Sequence, residues 1–254
     1  MTLKKIGAFQ AVLAAGMVVC NTGFADTTAV SPLSYANYTA GNEMNEPLYG
    51  SGSGSGGQGA TVQYVVPTSD LTGLNNQALT GLAFRLSDYY APNLPQINYS
   101  DYTIQLSAFS GSSLSSTFAN NLVNPTTVLT GPLSLAAGAF PTGASGITPN
   151  GFGDFISFGN SYAYSGGDLL VTISHSAPQG IDGGSLSFFS CDADWNSGVL
   201  SVLTGEANAT TGMTDNVMPV TEFTTVPVTV PEPSTLALSV IGGLGGLLVF
   251  RRRK

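Results

Sequence analysis

Five adjacent residues hold much of the chemistry this chain can offer. In Cys191-Asp-Ala-Asp-Trp-Asn-Ser-Gly198, the side chains of Asp192, Asp194 and Asn196 alternate. Oxygen ligands at the first, third and fifth positions of a loop can wrap a calcium ion. Ser197 stands where an EF-hand needs glycine, and Leu203 stands where it needs the bidentate glutamate. The segment therefore reads either as a low-affinity calcium loop or as a plain polar turn. Trp195, the only tryptophan, lies inside it, and Tyr89, Tyr90, Tyr99 and Tyr102 cluster near Pro92 and Pro95. Such rings either stack on sugars at the surface or pack half-buried in a core.

Nucleophilic catalysis finds little support. His175 is the sole histidine and falls at the end of a strand-like run, a structural position more than a catalytic one. Once a leader containing Cys20 is removed, Cys191 is the only cysteine, so no intrachain disulfide is available. A buried thiol or an intermolecular bridge are its two readings. There is no Gly-x-Ser-x-Gly elbow, no His-Glu-x-x-His and no phosphate-binding glycine loop. Fourteen acidic residues between 26 and 230 could furnish a glycosidase pair, but sequence spacing does not give their separation in space. The expectation is a protein that is not an enzyme.

Charge narrows the partners further. Of seven basic residues in 254, only Arg85 lies between 26 and 230; one cation against 14 acids leaves that body at −13. Nucleic acid is excluded as a partner, because binding it requires several cations on the phosphates at once.

The elements that must position these residues read as strands. Short β-branched, aromatic or alternating runs occur at 60–66, 78–86, 99–109, 126–129, 154–158, 168–174, 185–189, 199–203 and 217–228. Gly, Pro, Asn and Ser clusters separate them. Tyr102, Ile104, Leu106 and Ala108 alternate with polar residues, as do Leu169, Val171 and Ile173 around Thr172; one face should meet a core and the other water. Residues 114–121 suggest one helical turn. The fold class is all-β, an antiparallel β-sandwich for which a jelly roll is one available form.

Both ends look like targeting segments. Residues 1–25 carry Lys4 and Lys5, an apolar run and small residues at Gly23 and Ala25, the layout of a secretory signal helix cut after Ala25. Residues 26–59 end in a Gly/Ser run and read as a flexible segment before an ectodomain at 60–223. Residues 224–230 read as an extended stalk, with a final edge strand as the alternative for their first half. The 17 uncharged residues 234–250 reach about 25 Å as a transmembrane helix, the lower limit for crossing a bilayer core. The basic cluster after them would stay cytoplasmic, placing the body across the inner membrane.

Pro231-Glu-Pro233, a Gly-rich apolar stretch and Arg251-Arg-Arg253 in that order resemble the PEP-CTERM sorting domain of exported proteins in Gram-negative bacteria. The resemblance implies recognition at Pro231, Glu232 and Pro233 by exosortase, a membrane hold at 234–250, and a stop at Arg251, Arg252 and Arg253. It also implies a cell-surface or biofilm-matrix destination. Segments such as Gly81-Leu-Ala-Phe-Arg85 look like recurring ectodomains of that family, whose role is unassigned. The expected partners are signal peptidase, exosortase, transiently the inner membrane, and an exopolysaccharide. The expected function is structural or adhesive, the alternatives being a polysaccharide-binding module or a glycan-active enzyme.

Overall fold

Strand-forming sequence meets strand structure most directly at 60–66 and 168–175, where β-branched residues fill consecutive positions. In the computed structural model, which describes residues 27–50, 57–88, 94–141, 149–180, 189–195, 201–204 and 206–227, these runs lie at the centre of the largest sheet. The strands in chain order are β1 (Thr27–Ser31), β2 (Asn42–Met44), β3 (Ala60–Val66), β4 (Gln77–Phe84), β5 (Ile97–Tyr99), β6 (Tyr102–Phe109), β7 (Val123–Leu129) and β8 (Leu133–Leu135). They continue as β9 (Ile156–Tyr164), β10 (Asp168–His175), β11 (Cys191–Trp195), β12 (Ser201–Thr204), β13 (Met213–Asp215), β14 (Val217–Pro219) and β15 (Thr221–Pro227). The chain is mostly β and every named pairing is antiparallel.

A six-stranded sheet runs β13-β12-β3-β10-β6-β7 and a four-stranded sheet runs β1-β15-β4-β9. Val62, Tyr64, Ile104, Leu106, Val171 and Ile173 from the first meet Leu79, Leu82, Phe84, Ile156 and Phe223 from the second in one buried cluster. Removing this apolar surface from water, at about 25 cal/mol per Å², is the main force holding the two sheets together. Smaller sheets, β14-β11-β2 and β5-β8, lie beside them.

Alternation led to the expectation of a solvated outer face on the large sheet, and here the structure differs. Val65 and Leu170 on that face pack with Leu114 and Phe118, so β3 is buried along its whole length. The cover is a turn at Phe118–Asn121, where the helical turn was expected, though it is 3-10. A buried polar knot fastens it: Gln63 Nε2 donates to the Phe118 carbonyl (3.1 Å) and to Thr172 Oγ1 (3.0 Å), and Asn121 Nδ2 donates to Gln63 Oε1 (2.8 Å). Polar residues at outward positions are thus hydrogen-bonded partners under a loop.

The segment before residue 60 also carries structure. β1 pairs with β15 and β2 pairs with β11, so residues 27–44, set apart in sequence from the ectodomain, belong to its sheets. Residues 45–50 form a tight turn in which the Asn45 carbonyl accepts from Leu48, Tyr49 and Gly50 N–H. Gly50 closes it at φ +89°, where a Cβ would sit 1.6 Å from the Gln58 carbonyl oxygen, so only glycine fits. At the other end, β15 lies between β1 and β4, which makes residues 224–227 part of an interior strand. Pro227 ends that strand, as a residue without an N–H donor should.

Among the described residues no helix is long and apolar enough to cross a membrane. The segments 1–25 and 234–250, and most of the run expected at 185–189, lie outside the described residues. The polar knot predicts that Gln63→Leu leaves the Phe118 carbonyl and the Asn121 amide short of partners and costs about 1–3 kcal/mol. Urea unfolding should show this as a lower midpoint with an unchanged slope.

Candidate functional site

Residues 191–195, read from sequence as a loop, are the central strand of the β14-β11-β2 sheet. The physical reason is visible in the residues: Cys191 and Ala193 alternate with Asp192 and Asp194, and Leu86 pairs with Cys191 beyond the end of β4. The Asp192 N–H donates to the Arg85 carbonyl (2.9 Å) and the Ser87 N–H to the Ser190 carbonyl (2.9 Å), so β11 pairs alongside the chain that leaves β4.

This pairing sets the sole cation of residues 26–230 against an acid. Arg85 Nη2 lies 2.7 Å from Asp192 Oδ2, with each side chain 1% exposed. Arg85 Nε donates to the same oxygen at 2.9 Å, Nη2 also donates to the Tyr38 carbonyl, and the guanidinium sits 5.4 Å from the centre of the Phe152 ring. The carboxylate accepts further from the Ala40 N–H (3.1 Å to each oxygen) and the Gly41 N–H (3.3 Å). Burial pushes the Asp192 carboxyl above its ordinary range; the Ala40 N–H and the Arg85 guanidinium pull it back down. A calcium ion using Asp192 would have to compete with Arg85 for the same oxygens.

Asp194 points elsewhere. Its Oδ1 accepts from the Tyr35 hydroxyl at 3.1 Å, and with Trp195 it lines an open cleft of about 940 Å³. Burial first, then the Asp194 hydrogen bond and charge, raise the Tyr35 pKa. Trp195 is 53% exposed. Asn196, the third residue of the calcium reading, lies outside the described residues. Among the described residues no group of three or more His, Cys, Asp or Glu side chains is placed to hold a metal ion.

The remaining candidates are interior. Tyr99 and Tyr102 are buried and donate to consecutive carbonyls, Tyr99 to Leu48 (2.5 Å) and Tyr102 to Pro47 (2.7 Å). His175 Nε2 lies 2.7 Å from the carbonyl of Glu46, the residue before, and Nδ1 lies 2.8 Å from the Ser176 carbonyl. The imidazole stacks on Tyr102 at 5.5 Å and meets Tyr99 edge-on at 5.3 Å. Three rings thus hold the 46–48 turn by its backbone. Burial lowers the His175 pKa, opposed by the two carbonyls. Cys191 is a free, buried thiol whose pKa burial pushes far up, which makes it a poor nucleophile. Tyr89 and Tyr90 lie outside the described residues.

Two of these arrangements had signals in the sequence. A single cation among 14 acids implied a specific acidic partner, and the period-two pattern of 191–194 was that of a strand. Nothing in the sequence tied Tyr35 or the 38–41 segment to β11.

With this geometry in place, the comparisons with known proteins speak to the tail alone. The profile of the PEP-CTERM protein-sorting motif matches residues 229–254. The chain therefore carries a PEP-CTERM sorting motif at its C-terminal end, which implies an exported, exosortase-targeted protein. No curated protein and no solved structure matches the chain. Pro231, Glu232, Pro233, Arg251, Arg252 and Arg253 fall within the matched segment and outside the described residues.

Two predictions follow from the buried groups. Arg85→Met strands the Asp192 charge and should cost about 3–5 kcal/mol by chemical denaturation, only part of it regained when Asp192→Leu is added, because the Ala40 and Gly41 N–H groups then lose their acceptor. Burial favours the neutral form of His175 in the fold, whereas the unfolded chain takes its proton near about pH 6.5. Stability carried by His175 is therefore complete above that pH and drains as pH falls through the lowered folded value. The melting temperature should drop between about pH 7.5 and about pH 5.5, and His175→Gln should flatten that slope.

Proposed function

We propose that the protein is an exported surface or biofilm-matrix component whose β-rich body, a sandwich of the two large sheets, plays a structural or adhesive part without catalysis. The observation that carries this reading is the junction at the C-terminus. β15 is held between β1 and β4 up to Pro227, and the sorting motif begins at residue 229. The body is thereby joined to a signal for exosortase with almost no spacer. Even fully extended, residues 228–230 bridge no more than about 11 Å at ~3.6 Å each. The packed domain would stand next to the membrane until the tail is removed.

Other features fit the same reading. The two groups that hydrolytic chemistry would recruit first, His175 and Cys191, are buried and occupied in packing and backbone contacts. A body at −13 whose one cation is neutralised internally stays soluble and repels anionic surfaces. Signal peptidase would remove residues 1–25, and exosortase would release the body after recognising Pro231, Glu232 and Pro233. A polysaccharide-binding role within the matrix is favoured by the Trp195 cleft.

In a strain lacking exosortase, the chain should keep its tail and fractionate with the inner membrane, while the parent strain yields a shorter, released form. Identical size and release in both strains would sink the sorting assignment.

A further inference from the structure

The cleft beside β11 has walls of two kinds. Trp195, Tyr35 and Phe109 supply rings, Trp195 being exposed over half its surface. Asp70, Asp168 and Asp194 supply carboxylates, and among the described residues no Lys, Arg or His lines the space. Asp168 Oδ1 is engaged by the Thr68 N–H and hydroxyl, both at 2.8 Å, and Asp70 Oδ2 accepts from Ser31 at 2.7 Å. Asp194 is the most buried of the three, only 8% exposed, and its Oδ1 takes the Tyr35 hydroxyl. A nearly buried carboxylate on the wall of a cleft that no described cation lines leaves a negative potential there for a ligand to complete.

The surroundings define what that ligand must carry. Uronic-acid or phosphate polymers would meet three carboxylates and a body at −13, so anionic chains are disfavoured. Apolar ligands would strip water from the Asp194 carboxylate and from the hydroxyls of Ser112 and Ser113. A ring that presents a C–H face to Trp195, hydroxyls to the serines and an ammonium to Asp194 matches the aromatic, hydroxyl and carboxylate parts of the lining, its other C–H groups facing Leu33, Leu114 and Met218, and the cation gains from the aromatic faces as well. The volume of about 940 Å³ admits more than one sugar ring and lies within the usual range of binding clefts.

We propose that this cleft binds a cationic glycan, a chain of amino sugars with free amines, with Trp195 as the stacking platform and Asp194 as the ammonium partner. The proposal deepens the matrix-binding side of the reading above. It is tested on purified protein, so its failure leaves the sorting experiment untouched.

The full chain, purified in mild detergent, is titrated by calorimetry with a glucosamine hexasaccharide at neutral pH and low salt. Saturable binding is expected, accompanied by a shift in the emission of Trp195, and it should weaken as salt rises. The fully N-acetylated hexasaccharide should bind about tenfold more weakly or worse, and a uronate hexasaccharide should not bind. Trp195→Ala and Asp194→Asn should each lower affinity about tenfold, with melting temperatures confirming the fold. Trp195 is exposed, so its variant keeps the test valid if Asp194→Asn disturbs the Tyr35 contact. The proposal is overturned by absence of binding at millimolar ligand, by equal affinity for the N-acetylated or uronate chains, or by an unchanged affinity in Trp195→Ala. Equal binding of hexalysine with the same dependence on Trp195 and Asp194 would overturn the glycan assignment and make the cleft a site for basic peptides.

Discussion

The Arg85–Asp192 pair is the contact on which the arrangement around β11 depends. Burying two charges is costly, and the cost is met only when every donor and acceptor finds a partner. Here the carboxylate collects the guanidinium and the N–H groups of Ala40 and Gly41, while the guanidinium also reaches the Tyr38 carbonyl and faces Phe152. Those contacts come from the end of β4, from β11 and from residues 38–41. Three segments far apart in sequence therefore share one charge pair, and none can shift without leaving a buried group unpaired. In a body with a single cation no other residue can take the place of Arg85.

A second device secures the next stretch of the same segment. Tyr99, Tyr102 and His175, from β5, β6 and β10, address the carbonyls of Leu48, Pro47 and Glu46 in turn. A turn's carbonyls need donors once water is excluded; the two tyrosine hydroxyls donate, and the three rings together exclude the water. The N-terminal segment is thus clamped by charge at 38–41 and by aromatic donors at 46–48. Between the clamps β2 pairs with β11, whose last two residues, Asp194 and Trp195, line the cleft. The binding chemistry there is a downstream consequence of contacts made by buried residues.

How much of this could be read from the sequence depended on how local each determinant is. β3 spans the run expected at 60–66, and β10 extends the run at 168–174 by His175 alone, because dense β-branched residues specify a strand by themselves. β1 and β2 were missed: Thr27–Ser31 and Asn42–Met44 are short and mixed, and become strands only by pairing with β15 and β11. The outer face of the large sheet was read as wet because Thr103, Gln105, Ser107 and Thr172 are polar, although a distant loop hydrogen-bonded to Gln63 covers Thr172 and its neighbours. The sorting tail was legible because its signal is a linear order of residues. The cleft was not, since Tyr35, Phe109 and Asp194 meet only in three dimensions, and the aspartates read as calcium ligands separate into an ion pair and a cleft wall.

The account's central structural claim is that the buried pair holds residues 38–44 onto β11, and amide hydrogen exchange on Asp192→Asn tests it directly. The Ala40 and Gly41 amides, together with those of β2 and β11, should lose protection, while the amides of β3 and β10 keep theirs. Unchanged protection at 40–44, or an equal loss across β3 and β10, would contradict the claim that this contact organises the segment locally.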